Sequence, residues 1–178
     1  AVTVAVEATK RFRAGGHSDA EAQSLSLIVQ AVAAQGDIAG ALKWADDATA
    51  AFRSLDNVRG ELGMSRATVQ LLLHNSQFAP ALDAANEAVA RSRERGDEPL
   101  LAAALQSLSD AQLAARNFRD AQRASNEARS LFRDRGANIK EAGSLLALSG
   151  LHFTKGDTEK ATEAAGTALG ILRAEGNK

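Results

Sequence analysis

The chain has 178 residues, a formal net charge of −1, 45% hydrophobic residues and only 4% aromatics, with 39 Ala, 21 Leu, two Pro and no Cys. So little β-branched and aromatic content excludes a β-sandwich or barrel, and alanine excess favours close-packed helices. The absence of cysteine excludes disulfides, a thiol nucleophile and thiolate metal sites, and the near-neutral charge provides no bulk field for nucleic acid or an anionic membrane.

A leading helix is predicted over 3–14, ahead of four gapless 40-residue periods. Each period holds two helices. The first, helix A, is expected at about 18–35, 58–75, 98–115 and 138–155; the second, helix B, at about 38–55, 78–95, 118–135 and 158–175. The period is read from columns: Phe12, Phe52, Ser92, Phe132 and Leu172, followed by Arg13, Arg53, Arg93, Arg133 and Arg173. Ala8, Ala48, Ala88, Ala128 and Ala168 precede them by four residues, and Ala41, Ala81, Ala121 and Ala161 open the helix B faces. In the first full period Ala41, Ala45, Ala48 and Phe52 fall on one side of a helix, as Leu25, Ile28 and Val32 do in helix A. The turns between periods carry Gly15-Gly16, Asp56-Asn57, Gly96-Asp97, Gly136-Ala137 and Gly176-Asn177. Those within periods carry Gly36-Asp37, Ser76-Gln77, Arg116-Asn117 and Gly156-Asp157. These sequences suit a left-handed residue after one helix and an N-cap for the next. Pro80 and Pro99 sit in first turns, where the missing amide hydrogen costs nothing.

Gly36-Asp37-Ile38-Ala39-Gly40-Ala41-Leu42 with Ala48, and Gly156-Asp157-Thr158-Glu159-Lys160-Ala161 with Ala168, resemble the tetratricopeptide (TPR) repeat. The period of 40 rather than 34 is similar to the longer-helix arrays of the kinesin light chain and bacterial regulator type. Leu25, Leu105 and Leu145 replace the family's aromatic helix A positions, and the closing proline is absent. The resemblance implies an all-α right-handed superhelix, an α-solenoid of about nine antiparallel helices. It spans 1–178 as a single array: a half repeat at 1–17, then repeats at 18–57, 58–97, 98–137 and 138–178.

Catalytic and metal chemistry find no support. His17, His74 and His152 are isolated, and no helical His pair, GxGxxG, P-loop or nucleophile elbow occurs. No cofactor, metal or enzymatic activity is expected. The arginine column is read as structural, a cation near the negative end of each helix B; a basic ladder for RNA or an acidic partner is the alternative, diluted by Asp56, Glu94, Asp97, Asp134 and Glu175.

The resemblance assigns helix A to a concave groove lined by Ser26, Arg66, Gln106 and Leu146; by Gln30, Gln70 and Asp110; and by Leu73, Leu113 and Phe153, with His74 beside them. Polar members could hydrogen-bond an extended peptide and apolar ones could seat its side chains. A carboxylate clamp is disfavoured, since its positions read Ser26, Gln30, Ala67, Ala103 and Ser107. The function expected is a protein-interaction scaffold holding a partner peptide or helix, with no nucleic-acid or membrane partner. The alternatives are self-assembly into homo-oligomers through open terminal repeats and a peptide-sensing regulator. No signal peptide or 18-residue apolar run is seen. A start at Ala1 suggests a processed product or a piece of a longer chain, and the compartment expected is cytoplasmic, or organellar if the N-terminus is processed.

Overall fold

The computed structural model describes residues 2–176, apart from the side chains of residues 2–4, 18 and 19. These residues form nine α-helices and no strand: α1 (Val2–Ala14), α2 (Ser18–Ala34), α3 (Ile38–Ser54), α4 (Val58–His74), α5 (Phe78–Glu94), α6 (Glu98–Ala114), α7 (Phe118–Asp134), α8 (Asn138–Thr154) and α9 (Thr158–Gly176). The helix ends lie close to those the 40-residue columns predict. Even-numbered helices are helix A and odd-numbered ones helix B.

Turn chemistry ends each helix where expected. Gly16, Gly36, Gly96, Gly136 and Gly156 adopt positive φ, and at the same register Asp56, Ser76 and Arg116 do so without being glycine (φ 51°, 57° and 61°). The left-handed residue lets the following amide reach back to the last helical turn, as Asn57 N–H does to the Phe52 carbonyl at 2.9 Å. Caps then start the next helix. Asp37 accepts from the Gly40 amide at 2.8 Å, Asn57 from Gly60 at 3.0 Å and Asp97 from Leu100 at 3.1 Å. His17, Asn117 and Ala137 begin their helices without a side-chain cap bond. Pro99 lies in the first turn of α6 as predicted. Gly176 is the last residue of α9, and Asn177 lies outside the described residues.

Two compact units divide the chain, Ala1–Ala84 and Ala85–Lys178, with the division inside α5. In the first, the stripe Leu25, Ile28, Val29 and Val32 of α2 packs with Ala41, Ala45, Ala48 and Phe52 of α3 and with Met64 and Leu71 of α4. The aligned alanines are contact points: Ala41 and Ala45 are completely buried, and the small side chain lets paired helix axes approach. In the second unit Ala142, Leu145 and Ala168 form a core with Ile171 beside it. Here the helix pairs are also stapled by serines. Ser109 Oγ donates to the Ala121 carbonyl at 3.0 Å, and 40 residues later Ser149 Oγ donates to the Ala161 carbonyl at 2.7 Å. Val29 and Val69 fill the equivalent register of the first unit with buried apolar volume.

The cap of α9 carries a pH-dependent contribution. The Asp157 carboxylate accepts from the Lys160 ammonium at 2.7 Å and from its backbone amide at 3.3 Å. The Lys160 side-chain hydrogen bond chiefly, with that amide, holds the carboxyl below the usual carboxylate value. A depressed folded-state pKa contributes stability above the unfolded value, lost as pH falls through the folded one. The first-turn amides of α9 are therefore expected to be protected at neutral pH, measured as their exchange rate relative to the unfolded chain at the same pH, and to lose that protection below about pH 4. Asp157→Ala should keep the protection low, and insensitive to this titration, throughout.

Candidate functional site

The aligned arginines have a partner column in helix A. Arg13 Nε lies 2.7 Å from Glu21 Oε1, and Arg53 Nη2 lies 2.9 Å from Glu61 Oε1. Each pair joins the end of one helix B to the fourth residue of the next helix A. Glu21 and Glu61 are almost wholly buried, as is Glu141. A carboxylate removed from water that far requires a charged or hydrogen-bonding partner. Glu141 takes Arg129 at 3.3 Å, one turn earlier, while Arg133 lies 3.7 Å from the exposed Asp134. At the remaining position the register offers Leu101, and Arg93 turns instead to Glu127 at 2.7 Å. The column thus joins helices rather than forming a basic ladder. The helix-dipole account was incomplete, because the partners are mostly not the acidic residues nearest in sequence. Glu21, Glu61 and Glu141 recur at multiples of the 40-residue period, so the signal was present and was overlooked.

Several groove residues named from the sequence meet in the first unit. Gln30, Gln70 and His74 line one cavity of about 550 Å³, together with Val29, Ala33, Ile38, Ala67, Leu71 and Asn75. No lysine, arginine, aspartate or glutamate is among them. His74 Nδ1 lies 2.8 Å from the Gln70 backbone carbonyl. A carbonyl can only accept, so Nδ1 carries the hydrogen and neutral His74 keeps Nε2 as an acceptor. Asn75 Nδ2 donates to the Leu71 carbonyl at 2.8 Å, which leaves its Oδ1 for another donor. Gln30 Nε2 approaches Ser26 Oγ at 3.4 Å. Helix spacing explains the grouping: Gln30 and Ala33 share one side of α2, and Ala67, Gln70, Leu71 and His74 recur at three- and four-residue steps on α4. Arg66 is exposed and Leu73 half-buried, and neither lines this cavity. Asn75, Val29 and Leu71 were not named beforehand, Ala67 was named only as a clamp position, and Ile38 only within the repeat motif. Asn75 lies one residue past the end of α4, where a helical pattern gives no signal.

The second unit places the other named residues differently. Gln106 Oε1 accepts from Ser144 Oγ at 2.8 Å, a contact from α6 to the next helix A, α8. Asp110 is exposed on α6, and Leu113 is half-buried on the same helix. Leu146 and Phe153 are exposed on α8, two turns apart.

His152 is buried within the α8–α9 pair, with its Nδ1 lacking a hydrogen bond and 4.0 Å from Asp157 Oδ2. A further hollow of about 510 Å³ in the first unit is lined by Arg13, Leu25, Gly40, Lys43, Trp44, Asp47, Ala48 and Ala51. Trp44 is the only tryptophan of the chain, and alanine stands at the same register at 84, 124 and 164. Among the described residues no group of three or more His, Asp or Glu side chains could hold a metal ion, and no helix is long and apolar enough to cross a membrane.

No protein-family model and no curated protein matches the chain. Solved structures do. BtubC from P. vanneervenii is similar over 97% of this chain and 72% of its own, at 18% identity and a TM-score of 0.81. The apo form of RapI is similar over 88% of this chain at 13% identity, with a TM-score of 0.72, and the match spans 57% of RapI. The nearly identical TPR-like repeats of a Podosopora anserina kinesin light chain match over 99% of this chain and 97% of that one, at 13% identity and a TM-score of 0.69. At such identities the likeness is one of fold.

Proposed function

From a chain that carries the TPR-like helical-repeat fold, we propose a protein-interaction scaffold that holds an extended peptide segment in the groove of its first unit. The observation that carries this reading is the uncharged cavity of Gln30, Gln70, His74 and Asn75 over an apolar floor. Amide side chains and a neutral imidazole offer both donors and acceptors to a peptide main chain. The apolar floor of Val29, Ala33, Ile38, Ala67 and Leu71 accepts one or two aliphatic side chains. A terminal carboxylate or a phosphate would find no cation there, so internal peptide segments are the expected ligands.

Peptides selected from a random displayed library against the intact protein test this. Gln70→Ala with His74→Ala removes two hydrogen-bonding groups worth about 1 kcal/mol each, so affinity should fall about 30-fold while helicity stays constant. Equal affinity for the double variant and the parent would remove the groove from the proposal. The groove positions of the second unit, Asp110 and Leu113, then serve as the comparison: substitutions there should leave these peptides bound.

A further inference from the structure

The first-unit cavity is uneven in its hydrogen-bonding character. At the end where α4 stops, the helix carbonyls are already engaged. Gln70 O accepts from His74 Nδ1 and Leu71 O from Asn75 Nδ2, each at 2.8 Å. The Leu72 and Leu73 carbonyls accept from the Gln77 and Ser76 amides at 2.9 and 3.0 Å. Each side-chain bond fixes what that side chain has left. His74, with its hydrogen on Nδ1, offers Nε2 as an acceptor, and Asn75, with Nδ2 turned onto its own helix, offers Oδ1. Both residues line the cavity, so its α4 end presents two acceptors. Gln70, one turn earlier, can serve either way.

The local field has the matching sign. A helix carries partial negative charge at its C-terminal end, and the last turn of α4 holds no lysine or arginine to offset it. The turn that leads from α2 into Ile38 brings Asp37, an exposed carboxylate whose Oδ1 accepts from the Gly40 amide at 2.8 Å. The lining itself, drawn from α2, α3 and α4, holds no charged group, and His74 is its only titratable one.

We propose that this end of the groove takes a cationic side chain of the bound peptide, arginine above all, and that protonation of His74 expels it; the assignment rests on peptide capture in the first-unit groove. A guanidinium brings donors only, in a planar fork that can span two acceptors, and it is more weakly hydrated than an ammonium. Its methylene stem lies over the apolar floor at Ile38 and Leu71 while the charge stays at the rim. A peptide carboxylate there would face two acceptors and the negative end of α4. Once His74 takes up a proton, Nε2 becomes a donor and the ring a cation. The acceptor is lost and like charges meet.

Peptides selected at pH 7.5 from a random displayed library against the intact protein should be enriched in arginine, with lysine second, at one position. The enrichment should vanish in selection against His74→Ala. One selected peptide, synthesised with blocked termini and labelled, then serves as the probe in fluorescence anisotropy. Its affinity should fall about tenfold between pH 7.5 and pH 5.5, the range over which an imidazole takes up its proton. His74→Ala should bind about fivefold more weakly at pH 7.5 and show no such pH dependence. Replacing the peptide arginine by alanine should weaken binding to the parent about tenfold and to His74→Ala by much less, because the two groups act on each other. Peptides without cationic enrichment that still depend on Gln70 and His74 overturn this assignment and leave the groove reading standing. So does a pH dependence that is absent from the parent or persists in His74→Ala. Failure to select any peptide, or peptides indifferent to Gln70 and His74, overturns both.

Discussion

Arg53→Ala is expected to destabilise the first unit by about 3 kcal/mol, more than most single changes at a half-exposed side chain. Glu61 is 3% exposed and takes both Nε (3.0 Å) and Nη2 (2.9 Å) of Arg53. Removing the cation leaves a carboxylate that is almost out of water without its main counter-charge, and the cost is chiefly that of the stranded anion. Replacing both partners together, as Arg53→Met with Glu61→Leu, should therefore recover most of the loss. Denaturant unfolding of the two single variants and the double variant measures this directly. A double variant no more stable than Arg53→Ala would mean that the ion pair itself, and not the avoided desolvation, holds the joint. An exposed pair provides the contrast: Arg135→Ala, which breaks the exposed contact to Glu98, should cost under about 1 kcal/mol.

Phe52→Ala should cost about 4 kcal/mol, the usual range for emptying a fully buried aromatic site. The glycine facing it supplies a sharper test. A methyl group added at Gly60 would run into the Phe52 ring, so Gly60→Ala overpacks the joint and should cost about 1–3 kcal/mol despite the better helix propensity. Gly63, three residues further along α4, has only the Ala22 methyl at 3.8 Å from the same added atom, an ordinary contact. Gly63→Ala should therefore stabilise by about 0.5–1 kcal/mol. Opposite signs in thermal unfolding are the expected result. Two changes of the same sign would show that helix propensity, rather than the Phe52 contact, governs this helix. At the equivalent joint in the second unit Lys140 replaces the glycine and its ammonium lies 5.8 Å from the Phe132 ring centre. That register therefore does not demand glycine everywhere, but only where the aromatic ring is turned onto it.

The helices were legible because the period has no gaps. Alanine and phenylalanine columns spaced four and three apart can form only one side of a helix, and those side chains are the buried ones. The turns were legible for the same reason, even at Asp56, Ser76 and Arg116, where no glycine marks the left-handed residue but the register does. Pairing was less legible. A glutamate four residues into a helix reads as an ordinary favourable first-turn charge, and the column of arginines does not record that Arg53 reaches across the turn to a Glu61 that is buried. The same gap affects the groove rows. Gln30, Gln70 and His74 meet in one cavity, while Gln106 at a neighbouring row is spent on Ser144. Which side of helix A a polar residue serves depends on the next helix, and spacing within one helix cannot tell the two sides apart.

The arginine–glutamate joint also gives the repeats a grammar. A helix pair that opens on Glu21 or Glu61 leaves a buried carboxylate stranded unless an arginine precedes it, whereas the pair opening at Glu98 brings Leu101 and makes no such demand. Repeats of identical length are thus not interchangeable words. Moving the pair 98–137 behind Arg53 would keep every alanine column aligned and still leave the arginine with nothing to hold. The order of the repeats is thus partly written in charge: a rearrangement that places the pair of Glu21 or Glu61 behind a helix B without a reaching arginine strands a buried carboxylate.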